Sequence, residues 1–215
     1  MESRFFGNRN SDIVFVQPIF SDDNDSVSRE LELVRHETGK DILIAAVAVD
    51  DWNRDLSPWE AEAVFGEEGF GSGAGKTLEY ILAETVPDAR ATKSTKLYLG
   101  GYSLAGLFAL WAACNTDIFD GVAAVSPSVW FPGFTDFVKA NRIMTPRVYL
   151  SIGDKEEKVR NSVVSQVGDN LREIHRFLTS LGISSTLEYN PGNHFRDPEI
   201  RVSKGIVNLM KTECC

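Results

Sequence analysis

The sequence predicts an α/β domain in which a mostly parallel sheet of about six strands is covered by helices on both faces. Three observations carry this reading. Short apolar runs rich in β-branched residues alternate with longer segments whose apolar residues step by three and four, the order of strand–helix units in a parallel sheet. The longest run, ILIAAVAV at 42–49, is apolar throughout instead of alternating, as suits a strand buried on both faces. The length of 215 residues suits one domain with a sizeable core and would be cramped for two, so a single domain over 1–215 is expected.

DIVFVQPI (12–19) is the first strand, short and β-branched. In DDNDSVSRELELVRHETG (22–39), acidic residues open the segment, Val27, Leu31 and Val34 recur at helical spacing, and Gly39 is a stop, hence a helix. ILIAAVAV is the second strand. After a long loop over 50–75, a helix is expected from about Thr77 to Val86, closed by Pro87, because proline breaks a helix interior. KLYLGG (96–101) is the third strand, with LAGLFALWAACN (104–115) a helix immediately behind it. GVAAVS (121–126) and RVYLSIG (147–153) are further strands. Val163, Val167, Leu171, Ile174, Leu178 and Leu181 form the stripe of an amphipathic helix ended by Gly182. STLEYN (185–190) alternates and suits an edge strand, and a last helix opens at the pair Asp197, Pro198.

Lys and Arg number 22 against 31 Asp and Glu, a net charge of -9. That field repels nucleic acid and anionic membrane surfaces, so neither is an expected partner. The stretch MESRFFGNRNSD has no apolar run flanked by basic residues, so no secretion leader is expected. ILIAAVAV is too short to cross a bilayer. Cys114 falls in a predicted helix, and the adjacent Cys214 and Cys215 make neither a disulfide framework nor a metal site. A cytoplasmic location follows as the expectation.

GFGSGAGKT (69–77) imitates a phosphate-binding loop. That motif needs Gly, four residues, then Gly-Lys-[Ser/Thr], directly after a strand. Counting back from Gly75, the first glycine should stand where Phe70 does, and WEAEAVFGEE before it is no strand. The segment reads as a loop feeding a helix.

The stretch with chemical meaning is YLGGYSLAGLFAL (98–110). A serine squeezed between a strand and an immediate helix is held in a strained turn, a nucleophile elbow with its Oγ above the sheet. Positions two before and two after must be small, which Gly101 and Ala105 satisfy, though glycine is usual at both. The helix N-terminus behind Ser103 adds partial positive charge toward a developing anion. Histidine is the natural base. His36 and His175 lie in predicted helices among charged residues, whereas His194 sits in the turn-rich NPGNHFRD after the last strand, on the sheet edge where Ser103 should emerge. A carboxylate must orient the imidazole, and RVYLSIGDKEEKVRN supplies Asp154, Glu156 and Glu157 after a strand end. Serine, acid and histidine thus follow in that order, each after a predicted strand.

At these residues the chain resembles the α/β-hydrolase superfamily, in the branch of esterase D-like and enterochelin esterase-like proteins. GYSLAG and GNHF carry the resemblance, with WNRDLSPW (52–59) and SPSVWF (126–131), over residues 12 to 211. It implies a three-layer fold without a large cap domain and a serine carboxylesterase working through an acyl-enzyme on a small-molecule ester, with no metal or organic cofactor. Self-association into a homo-oligomer is left open. In such hydrolases the acid often stands three residues after the glycine ending the strand, with an apolar residue three further on. Gly153, Glu156 and Val159 fit, favouring Glu156, with Asp154 the alternative. The implied oxyanion donors are the backbone N–H of Leu104 and one near Ile19 or Phe20. Trp52, Trp59, Trp130 and Phe131, on loops beside strand ends, are expected to form an apolar acyl pocket. The N-terminal strands usual in the family are expected to be missing, and its usual His-Gly is replaced by VQPIFSDD. That replacement leaves an alternative, a non-catalytic binding protein with the same fold.

Overall fold

All six segments expected as strands form strands and hydrogen-bond side by side. They are β2 (Ile13–Ile19), β3 (Leu43–Ala48), β4 (Lys96–Tyr102), β5 (Gly121–Val125), β6 (Arg147–Gly153) and β7 (Ser184–Asn190) in the computed structural model, which describes residues 1–211. Cys214 and Cys215 lie outside the described residues. A seventh strand, β1 (Glu2–Gly7), runs antiparallel to β3 with Glu2 opposite Ala48. It corrects the expectation that the N-terminal strands are missing. ESRFFG has no continuous apolar run because β1 is a half-exposed edge held by ladder bonds, and periodicity does not announce such a strand.

The strand order is β1-β3-β2-β4-β5-β6-β7, and every pairing except that of β1 is parallel. The carboxyl ends of β2 to β7 therefore share one edge, where α/β sheets gather their chemistry. Side chains alternate between two cores. Val14 and Val16 point into one, with α5 (Leu104–Ala112), α6 (Phe134–Ala140) and α7 (Val167–Ser180). Phe15 and Ile19 point into the other, with α1 (Asn24–Thr38) and α8 (Pro198–Met210). β7 is an edge strand, as its alternation predicts.

Two helix expectations need correcting. The helix expected from Thr77 to Val86 begins at Ala74 and continues through Pro87. It runs as α3 (Ala74–Tyr80), a π turn (Ile81–Thr85) and α4 (Val86–Ala89). The wider π turn accommodates a proline that has no N–H and would crowd the preceding turn of a regular α-helix. The glycine-rich segment before it packs against a short helix, α2 (Trp52–Asp55). A Cβ on Gly73 would lie 2.7 Å from the carbonyl oxygen of Arg54, and the Thr77 hydroxyl donates to the carbonyl of Asp55 at 2.7 Å. These glycines serve close packing, which explains a near-miss to a nucleotide motif. At α8, Asp197 stands at the cap position, but its carboxylate makes no cap bond and meets the Arg196 guanidinium at 3.2 Å.

Candidate active site

β4 enters a turn at Ser103 and α5 starts on the next residue. Ser103 has φ 59 and ψ -119, a strained conformation for a residue with a side chain. The surroundings hold it there: its N–H donates to Val125 O at 3.0 Å, and its carbonyl accepts from Leu107 N and Ser128 N, each at 3.1 Å. The need for small neighbours has a direct cause. A Cβ on Gly101 would lie 2.6 Å from the Ala105 Cβ, and one on Gly106 would lie 2.9 Å from Gly101 O. Ala105 is tolerated because it faces Gly101, while Gly106 lies against the sheet. Leu104 is the first residue of α5, so its N–H has no acceptor within the helix.

The structure brings three of the candidates into one line. Ser103 Oγ lies 3.1 Å from His194 Nε2, and His194 Nδ1 lies 2.8 Å from Glu156 Oε2. Among the competing acids, Asp154 accepts from the N–H of Gly192 at 2.7 Å and so pins the histidine loop. Glu157 pairs with Arg172 at 2.9 Å. His36 is exposed, and His175 meets Ser185 Oγ at 2.9 Å, at the opposite end of β7 from the loop that carries His194.

Glu156 is buried, and its Oε1 accepts three hydrogen bonds: Gly153 N–H at 2.7 Å, Ser126 Oγ at 2.8 Å and Arg201 Nη1 at 2.7 Å. Oε2 is thereby left for the imidazole. Burial by itself raises the pKa of this carboxyl. Contact with His194 and the donors at Gly153 and Ser126 outweigh it, so the group titrates below its ordinary range. Arg201, on α8, is a member of the site that motif reading misses. It is 1% exposed, and its Nη1 also donates to Ser126 Oγ at 3.0 Å and Tyr102 Oη at 3.1 Å. Its Nη2 donates to the carbonyls of Pro191 and Asn193. One guanidinium thus ties the acid to the histidine loop. Its sequence signal is an arginine four and eight residues before Gly205 and Leu209, on the buried stripe of α8. Ser126, with φ 44, and Tyr102, whose hydroxyl donates to His194 O, are also supports the motif did not include.

Ser103 and His194 line a cavity of about 670 Å³. Trp52 and Trp130 line it, together with Leu104, Ile19 and Phe20. The ring of Phe20 stacks on Trp52 with centroids 4.1 Å apart. Trp59 and Phe131 do not line the cavity, which corrects their expected role. Trp59 donates to Pro132 O at 3.1 Å and packs edge-on against Phe131, which is itself buried. Phe70 takes their place in the wall, lying 5.2 Å from Phe131 and 5.9 Å from Trp130 between ring centroids. Phe65 joins it from the loop, edge-on to both Phe70 and Trp130. Among the described residues, no helix is long and apolar enough to cross a membrane.

No protein-family model matches the chain, and no curated protein matches it by sequence. Solved structures do. Siderophore hydrolase EstB from Aspergillus nidulans is 17% identical with a TM-score of 0.73, over 99% of this chain and 96% of that one. An IroE-like serine hydrolase from Shewanella oneidensis is 19% identical with a TM-score of 0.73, over 94% and 71%. Siderophore hydrolase EstA from Aspergillus nidulans is 20% identical with a TM-score of 0.69, over 93% and 83%. With the parallel strand order and the serine turn between β4 and α5, these likenesses establish the architecture: the chain has the α/β-hydrolase fold.

Proposed function

We propose that the chain is a serine hydrolase that cleaves carboxylic esters of small molecules through an acyl-enzyme. The observation that carries this reading is the unbroken line from Ser103 Oγ through both ring nitrogens of His194 to Glu156 Oε2, at 3.1 and 2.8 Å, on the wall of a ligand-sized cavity. In the first half-reaction Ser103 Oγ attacks the ester carbonyl as His194 Nε2 takes its proton. The tetrahedral intermediate then collapses, and the alcohol leaves with that proton. In the second, water gives a proton to Nε2 as it attacks the acyl-serine carbonyl. The acid departs and Ser103 recovers its proton.

Glu156 holds Nδ1 and stabilises the imidazolium that forms in each step. The oxyanion is assigned to the backbone N–H of Leu104, with a second donor at Ile19 or Phe20. A donor of this kind contributes about 3 kcal/mol in comparable enzymes. The site's own side chains supply all the proton transfers. Two structural neighbours are named siderophore hydrolases, so siderophores are natural first candidates beside simple esters.

The test is hydrolysis of p-nitrophenyl acetate and butyrate by wild type and Ser103→Ala, with fluorophosphonate labelling located by mass spectrometry. Labelling at Ser103, with a fall of at least 10³-fold in kcat for the alanine variant, is expected. Equal rates for the two proteins would remove Ser103 from the nucleophile role. A folded protein that neither labels nor hydrolyses would favour a binding function.

A further inference from the structure

The cavity around Ser103 is chemically lopsided. On the side of α5 and α7 its wall is apolar, made by Phe65, Phe70, Trp130, Val164 and Val167. On the side of α1 and α8 it is acidic, made by Gln17, Asp23, Ser26, Glu30 and Glu199. The second set follows from alternation. Gln17 falls on the same face of β2 as Phe15 and Ile19, and Glu30 falls on the buried stripe of α1 with Val27 and Val34. A glutamine and a glutamate at core positions call for a reason.

Glu30 is 5% exposed and Gln17 3% exposed, and Gln17 Nε2 donates to Glu30 Oε2 at 2.7 Å. The remaining Oε1 of each has no hydrogen-bond partner among the described residues, and neither atom is sealed from solvent. Because both residues line the cavity, these two acceptors open into it. Asp23 and Glu199 add carboxylates that repel that of Glu30. Among the residues lining the cavity there is no lysine or arginine. The arrangement is rich in acceptors and lacks the cation that would satisfy them.

We propose that Glu30, with Gln17 beside it and Asp23 and Glu199 nearby, binds a protonated amine of the substrate. The preferred ester then carries an ammonium group on one side of the scissile bond and an apolar group on the other. An ammonium presents three donors and no acceptor, matching a set of free carboxylate and amide oxygens. A metal ion fits less well, since among the described residues no three His, Cys, Asp or Glu side chains are grouped to hold one. Burial, and then repulsion from Asp23 and Glu199, push the Glu30 carboxyl up to about 8 against the hydrogen bond from Gln17. At neutral pH it therefore carries a proton, which passes to solvent when an ammonium arrives and the carboxylate forms. The substrate class rests on the ester-hydrolase reading, whereas the cation site itself does not.

The test compares p-nitrophenyl 8-aminooctanoate with p-nitrophenyl nonanoate, and 6-aminohexyl butyrate with heptyl butyrate. Each pair matches an ammonium ester with a neutral ester of the same chain length, placing the charge in the acyl or the alcohol part. In wild type the ammonium member of one pair has the higher kcat/KM. Its advantage falls about tenfold in Glu30→Gln, the size of one lost charge-assisted contact, and falls less in the more exposed Glu199→Gln. If Glu30→Gln does not fold, Glu199→Gln decides. Ratios that agree within twofold among wild type and the folded variants would overturn the proposal while leaving the hydrolase reading intact. If wild type hydrolyses no ester, calorimetric binding of n-octylammonium against 1-octanol tests the cation site directly. Tighter binding of octylammonium, weakened about tenfold by Glu30→Gln, upholds the site, and equal binding of the two compounds overturns it.

Discussion

Glu156 and Arg201 form an ion pair in which both side chains are almost wholly buried, at 2.7 Å. Removing one partner of such a pair leaves the other charged and unsolvated, which costs about 3–5 kcal/mol. Arg201→Met should therefore lower Tm by roughly 10 °C for a chain of this size. It should also lower kcat, because Glu156 and the histidine loop lose a shared anchor. An unchanged Tm in calorimetry would refute that role. Glu156→Gln should reduce kcat by about 10⁴-fold, as when a triad acid becomes an amide. Asp154→Asn, which only loosens the bond to Gly192, should cost less than about tenfold on the scale of a single neutral hydrogen bond. The reverse order in steady-state kinetics would shift the acid to Asp154. Because the Glu156 carboxyl titrates below its ordinary value of 4.5, the stability it contributes is present above that pH. It is lost as pH falls through the lowered value. Ser103, His194 and the three acids were legible as residues, since chemistry restricts the choices. The spacing implied by the family resemblance favours Glu156 over Asp154, and the contact with His194 is what sets Glu156 apart from the two neighbouring acids in space.

At the scale of elements, the β4–α5 junction works because a strand and a helix approach almost to backbone contact. Gly106→Val would place branched carbons where a Cβ already meets Gly101 O at 2.9 Å and Val125 N at 3.1 Å. The helix would have to lift from the sheet, at a cost of about 1–3 kcal/mol for overpacking. Ser103 would lose its bond to Val125 O. Fluorophosphonate labelling should slow more than tenfold, given how steeply reactivity depends on position, and labelling at the wild-type rate would contradict the close-approach account. The strands from β2 to β6 were readable because burial on both faces forces continuous apolar runs, and β7 was readable from its alternation. β1 and the passage of the helix through Pro87 were not. The first depends on an unpaired edge of β3, and the second on a π turn whose hydrogen bonds no pattern of side chains specifies.

Across the whole molecule, the cavity at the carboxyl edge of the sheet is lined from both cores, by Phe70 and Trp130 of one and by Ile19 and Val202 of the other. One consequence is a pH-dependent stability with a definite sign. The folded state raises the Glu30 carboxyl from 4.5 to about 8, chiefly by burial, with Asp23 and Glu199 facing it and Gln17 its hydrogen-bond partner. The folded protein thus holds a proton that the unfolded chain has released. Stability falls as pH rises from about 4.5 toward 8 and levels above that. Glu30→Gln should have a Tm a few degrees above wild type at pH 8, with the gap closing toward pH 5. An equal gap at both values would mean that Glu30 does not titrate in this range. The order of strands and helices, the strained serine and the sequence of serine, acid and histidine were determined by the amino-acid sequence itself. Periodicity and steric demand act locally and leave their mark on neighbouring residues. The seating of Arg201 under Glu156, the exclusion of Trp59 and Phe131 from the cavity and the convergence of Gln17 with Glu30 were decided only in three dimensions. Each joins residues on separate elements, and packing brings them together.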